Sequence, residues 1–137
     1  WPEKLLEHVV KLCVNSHSCV NAAIQFGGIA ALDGPEDSIH EMMEHFSDRR
    51  KIIYEGLNNL KGVECNFPGG GFYIFPNVKG TGMNGTEFAK KCLHEAGVAL
   101  VPGTSFGKSG VDHVRFSFAA SKNDIKEAIG KIEKILV

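Results

Sequence analysis

The sequence predicts an α/β fold with the layout of an α+β small domain: a small mixed or antiparallel sheet with helices packed on it, preceded by a helical arm with one long helix. Three observations predict it. Apolar residues recur at helical spacing through roughly the first sixty positions, and after Gly62 the pattern changes to short strand-like runs punctuated by glycine and proline. Two capping signatures then open helices, at Asn84 and at Ser121. The resulting order is three helices, then strand, strand, helix, strand, strand, helix, with no internal repeat.

Composition narrows the function classes. With 43% hydrophobic and 23% charged residues in 137, the chain can bury a core and is not disordered by composition. A formal net charge of −1 without a basic run argues against nucleic-acid binding. No apolar run reaches the ~18–20 residues of a membrane span and no secretory leader is visible, so a soluble, cytoplasmic protein is expected. The four cysteines form no C-x-x-C pair, which fits reduced thiols. The chain opens on Trp1-Pro2, as expected of a sequence that begins inside a longer reading frame.

Element by element, Leu5, Leu6, Val9, Val10 and Cys13 follow Pro2 at helical spacing, so residues 3–14 read as an amphipathic helix facing a core. The polar cluster 15–18 interrupts it, and the small-residue stretch 20–32 reads as a second, closely packed helix. Asp33-Gly34-Pro35 breaks the chain and restarts it as a long helix over 36–60, with Ile39, Met42, Met43, Phe46, Ile53, Leu57 and Leu60 on one stripe. At ~1.5 Å per residue it would span about 36 Å, which reads as a strut between domains.

Strands are expected over 63–65 and 72–75, hairpin-like around Pro68-Gly69-Gly70-Gly71. Asn84 and Glu87 form a capping box for a helix that Gly97 stops, 98–101 reads as a buried strand, and Pro102-Gly103 as a turn. A strand over 113–118 follows, and then a last helix capped by Ser121 and Asp124 and lined by Ile125, Ala128, Ile129, Ile132 and Ile135.

Within 113–118, Val114, Phe116 and Phe118 alternate with Arg115 and Ser117, which puts Arg115 on the face opposite the aromatics. A guanidinium on a stiff strand presents a planar fork suited to a carboxylate or phosphate. Strands also expose arginines to solvent or tie them into structural ion pairs, and the pattern alone favours that plainer reading. Gly69-Gly70-Gly71 either lets backbone approach a ligand or simply turns; it is no phosphate loop, since no Gly-Lys-Ser/Thr ends it. The six histidines have no metal-ligand spacing, and no G-x-S-x-G elbow marks a nucleophile.

Four segments then stand in order: Pro68-Gly69-Gly70-Gly71-Phe72-Tyr73-Ile74-Phe75, Gly97-Val98, Val101-Pro102-Gly103-Thr104-Ser105-Phe106-Gly107 and Arg115-Phe116-Ser117-Phe118-Ala119. This series resembles the C-terminal portion of class I/II aminotransferases that use pyridoxal phosphate (PLP), of fold type I and aspartate aminotransferase-like. The similarity extends upstream through Gln25, Ala30-Ala31-Leu32 and Arg49-Arg50. It implies that residues 1–35 are the end of the large PLP-binding domain and 36–137 the interdomain helix plus the C-terminal small domain.

The resemblance implies that Arg115 grips the substrate's α-carboxylate and that Gly70 and Gly71 are backbone near the substrate cleft. The substrates implied are an amino acid and a 2-oxo acid, and the implied assembly is a homodimer, with residues 15–18 near its interface. Such enzymes need a Schiff-base lysine, an aspartate for the pyridinium nitrogen and phosphate-binding groups, all of which would lie before Trp1. Ala120-Ser121-Lys122 looks superficially like a lysine motif, but Ser121 is better explained as a helix cap. The chain alone is therefore expected to be inactive. Two other readings stay open: a PLP-dependent lyase of the same superfamily, and a stand-alone module for dimerisation or for binding an acidic ligand.

Overall fold

In the computed structural model, which describes residues 2–136, the first element is helix α1 (Glu3–Ser16). The polar cluster ends this helix instead of interrupting it. Asn15 Nδ2 donates to the Lys11 carbonyl at 2.7 Å and Ser16 Oγ to the Leu12 carbonyl at 2.8 Å, so both side chains bond back into the turn they follow. Helix α2 (Ala22–Asp33) starts two residues later than 20 because Asn21 caps it, its side chain accepting from Ala23 N at 2.9 Å.

The chain divides into two units, Trp1–Ser38 and Ile39–Val137. In the first, the expectation of a core-facing α1 is not met, since neither α1 nor α2 buries a residue. Leu12 is 70%, Phe26 73% and Leu32 86% exposed. Helix α2 is apolar around its whole circumference, a pattern found in helices that are buried on every side.

Helix α3 (Asp37–Asn58) leads into the second unit, and only the C-terminal half of its apolar stripe enters the core, through Ile53 and Leu57. Met42 and Met43 stay exposed. The helix stops at Asn58, before position 60, and the Asn58 side chain reaches the next segment: its Oδ1 accepts from Cys65 N at 3.0 Å and its Nδ2 donates to the Cys65 carbonyl at 3.2 Å.

The sheet is antiparallel throughout, with strands β1 (Tyr73–Ile74), β2 (Val101–Pro102) and β3 (Val114–Ser117) in the order β1-β3-β2. Tyr73 lies opposite Ser117 and Ile74 opposite Phe116, while Val101 lies opposite Arg115 and Pro102 opposite Val114. The expected hairpin between 63–65 and 72–75 does not form: Glu64 bridges Asn77, beyond the expected strand, and β1 takes the distant β3 as its partner. Only the end of 98–101 pairs, and Pro102 belongs to the strand instead of the turn. Proline is tolerated there because β2 is an edge strand.

Helix α4 (Gly85–Lys91) opens on the Asn84/Glu87 capping box, widens into a π turn over Cys92–Ala96, and stops at Gly97. Helix α5 (Lys122–Ile135) opens on the Ser121/Asp124 box. Leu57, Val78, Phe88, Cys92, Val114, Phe118 and Ile132 form the fully enclosed centre between the helices and the sheet. Burying each large apolar side chain is worth about 1.5–3 kcal/mol, which fixes the inner face of β3 and therefore the direction of its outer face.

Candidate functional site

On β3 the burial alternates as the sequence requires: Val114 and Phe116 point into the core, Arg115 is half-buried and Ser117 exposed on the other face. The Arg115 guanidinium carbon lies over two rings, 4.2 Å from the centroid of Tyr73 and 4.8 Å from that of Phe106. Cation–π contacts of this kind contribute about 0.5–2 kcal/mol each, more as water is excluded. Among the described residues, Arg115 has neither a carboxylate at ion-pair distance nor a hydrogen-bond acceptor. Its in-plane N–H donors are thus open to a planar anion.

Each ring arrives by a different route. Tyr73 faces Ser117 across the β1/β3 ladder, so it is the diagonal neighbour of Arg115 on the outer face. Phe106 ends a tight 3₁₀ turn, Gly103–Phe106, that is anchored where Gly103 N donates to the His113 carbonyl at 2.7 Å. A side chain at Gly103 would collide with the Gly110 carbonyl, so this close approach requires glycine. Phe106 meets Phe75 edge-on at 5.9 Å, and Phe75 stacks on His113 at 5.1 Å. Tyr73 and Phe106 stand in the sequence segments discussed above, but no local pattern marks them as neighbours of Arg115.

Gly70 and Gly71 lie elsewhere, in a groove of about 270 Å³ lined by Met42, Met43, Phe46, Ser47, Arg50, Gly69, Phe72 and Phe118. Arg115 does not line this groove, and the contact between the two places is the ring pair Phe72–Tyr73, with centroids 4.4 Å apart. Gly71 has φ +69°, which favours glycine, whereas a Cβ on Gly70 would meet nothing. Arg50 holds the turn to α3, donating from Nη1 to the Pro68 carbonyl at 3.2 Å while its guanidinium lies over Phe67.

Lys122 and Ser121 are committed to structure. Lys122, the lysine that follows Ala120-Ser121, donates from Nζ to Asp48 Oδ2 at 2.7 Å, and Ser121 caps α5. All four cysteines are free, and burial pushes the Cys92 thiol up to about 12. Burial also raises the Cys65 thiol, against an opposing hydrogen bond from Asn58. No group of three or more His, Cys, Asp or Glu among the described residues is placed to hold a metal, and no described helix is long and apolar enough to cross a membrane.

Residues 3–132 match the family model described as "Aminotransferase class I and II". The chain is 38% identical over 137 residues to an aspartate aminotransferase of Pyrococcus horikoshii, covering 98% of this chain and 35% of that protein. It is 40% identical over 131 residues to a probable aspartate aminotransferase of Methanocaldococcus jannaschii, covering 96% of this chain and 34% of that protein. The crystal structure of an aromatic aminotransferase from P. horikoshii superposes with a TM-score of 0.90 at 34% identity, over 98% of this chain and 36% of the other. The chain thus spans about a third of the length of these relatives. A family match over nearly the whole chain, joined to the same small-domain architecture, establishes that this chain belongs to the class I and II aminotransferases.

Proposed function

We propose that this chain is the C-terminal segment of a PLP-dependent aminotransferase and supplies its substrate α-carboxylate site. The observation that carries the reading is Arg115: a half-buried guanidinium on a core-anchored strand, with its donors open and, among the described residues, no carboxylate at ion-pair distance. The two rings do not use its N–H donors, and an incoming carboxylate can take them in two parallel hydrogen bonds. Gripping the carboxylate fixes the amino acid in orientation, which is how binding at one end of a substrate assists chemistry at the other. Gly70 and Gly71 fit the neighbouring cleft wall as backbone without side chains.

PLP, the cofactor of this family, would supply a carbonyl for the amino group when bound. The described residues do not place a lysine to anchor it beside the glycine turn. No lysine lines the groove, and Lys122 is spent on Asp48. We therefore assign PLP binding to a part of the protein other than this chain, with residues 1–35 as the end of the large domain, 36–137 as the interdomain helix and small domain, and a homodimer as the assembly. The exposed apolar faces of α1 and α2 support a large domain or a partner copy covering them. Four free thiols suit the reducing cytoplasm.

The test is to compare the 137-residue chain with the longer protein that carries it. Both are titrated with PLP and assayed for amino-group transfer from aspartate and from alanine to a 2-oxo acid. An aldimine absorption band and turnover in the longer protein only are expected. A longer protein that neither binds PLP nor transaminates would favour a module that binds acidic ligands or mediates dimerisation.

A further inference from the structure

We propose that Tyr73 and Phe106 are positioning residues for Arg115: the two rings hold the guanidinium plane so that its donor edge, and not its face, meets the substrate carboxylate. The inference rests on the reading of Arg115 as the carboxylate site. A guanidinium has two apolar faces and a rim of five N–H donors. With its central carbon 4.2 Å from one ring centroid and 4.8 Å from another, the cation packs against two rings, and no described residue accepts from its N–H donors. A free arginine side chain carries large rotamer entropy, so fixing the fork before the substrate arrives removes an ordering cost from binding.

The two rings come from independent elements, and each is braced in turn. Tyr73 is set by the β1/β3 register and touches Phe72, whereas Phe106 is set by the Gly103–Phe106 turn and leans on Phe75, itself stacked on His113. Tyr73 is 41% and Phe106 52% exposed, so truncating either removes a wall of the site without hollowing the core. Neither ring is needed to fill the interior. Their shared contact is the arginine.

The experiment uses the full-length enzyme that carries this chain. Tyr73→Leu and Phe106→Leu are each expected to raise KM for the amino acid about threefold to fivefold, the scale of one solvent-accessible cation–π contact, with kcat changed less than about twofold because the carboxylate is held alike in ground and transition states. Tyr73→Phe and Phe106→Tyr, which keep the rings, are expected to restore KM. In an Arg115→Lys background the leucine changes should add little, since an ammonium has no plane to hold. On the unmutated protein, the Arg115 Nε–H resonance is expected upfield of an exposed arginine's, and an ordinary position would overturn the two-ring arrangement whether or not the variants fold. Leucine variants with unchanged KM, alongside a severe Arg115→Ala defect, overturn the positioning role and leave the carboxylate site standing. An Arg115→Ala enzyme with normal KM overturns both.

Discussion

Lys122 Nζ donates to Asp48 Oδ2 at 2.7 Å, joining the first residue of α5 to the middle of α3. The hydrogen bond first, and the lysine's charge second, hold the Asp48 carboxyl below the ordinary carboxylate value. A carboxyl depressed on folding contributes stability that is fully present above its unfolded value and is lost as pH falls through the folded one. Replacing Lys122 by Met should therefore lower Tm at neutral pH, by an amount that shrinks below about pH 4. High salt should shrink it too, since both partners are exposed. A Tm difference that persists undiminished in acid would contradict the pairing.

The glycine turn makes a paired prediction. Gly71 sits at φ +69° and Gly70 does not share that conformation, while a Cβ at either meets nothing. Gly71→Ala should cost about 1–2 kcal/mol through backbone alone. Gly70→Ala should stay within about 0.5 kcal/mol of the parent. Chemical denaturation of the two variants checks this. If Gly70→Ala is as stable as the parent yet binds substrate more weakly, the glycine faces the ligand.

Thiol reactivity should follow burial. Cys92 is enclosed in the core with its thiol raised to about 12, while Cys19 is exposed. Because the thiolate is the reacting form, alkylation at mildly alkaline pH should label Cys19 in the folded chain and reach Cys92 only on unfolding. Mass spectrometry of the labelled peptides gives the order. Early modification of Cys92 would contradict its placement.

Local chemistry was readable wherever one segment decided it. Both capping boxes form as their spacing requires, and the alternation of Val114, Phe116 and Phe118 alone places Arg115 on the outer face. What depended on distant partners was not readable. Nothing in 72–75 names β3 as its neighbour or sets Tyr73 against Ser117, so the local pattern favours a hairpin instead. The Tyr73 and Phe106 contacts to Arg115 follow from that register and from the Gly103 approach, neither of which leaves a periodic trace. The α3 stripe showed an apolar face but not that its first half would remain exposed. The glycine turn and Arg115 stand in the first and last of the four motif segments, and the structure sets them in adjoining places bridged by Phe72 and Tyr73.

The most direct test of the account is the KM and kcat/KM of Arg115→Ala for an amino acid donor, in the full-length enzyme, with folding checked by Tm. Two charge-assisted hydrogen bonds are worth about 3–5 kcal/mol together, so kcat/KM should fall by at least about a hundredfold while Tm barely moves. A variant that keeps kcat/KM within a few-fold of the parent would show that Arg115 does not hold the substrate carboxylate.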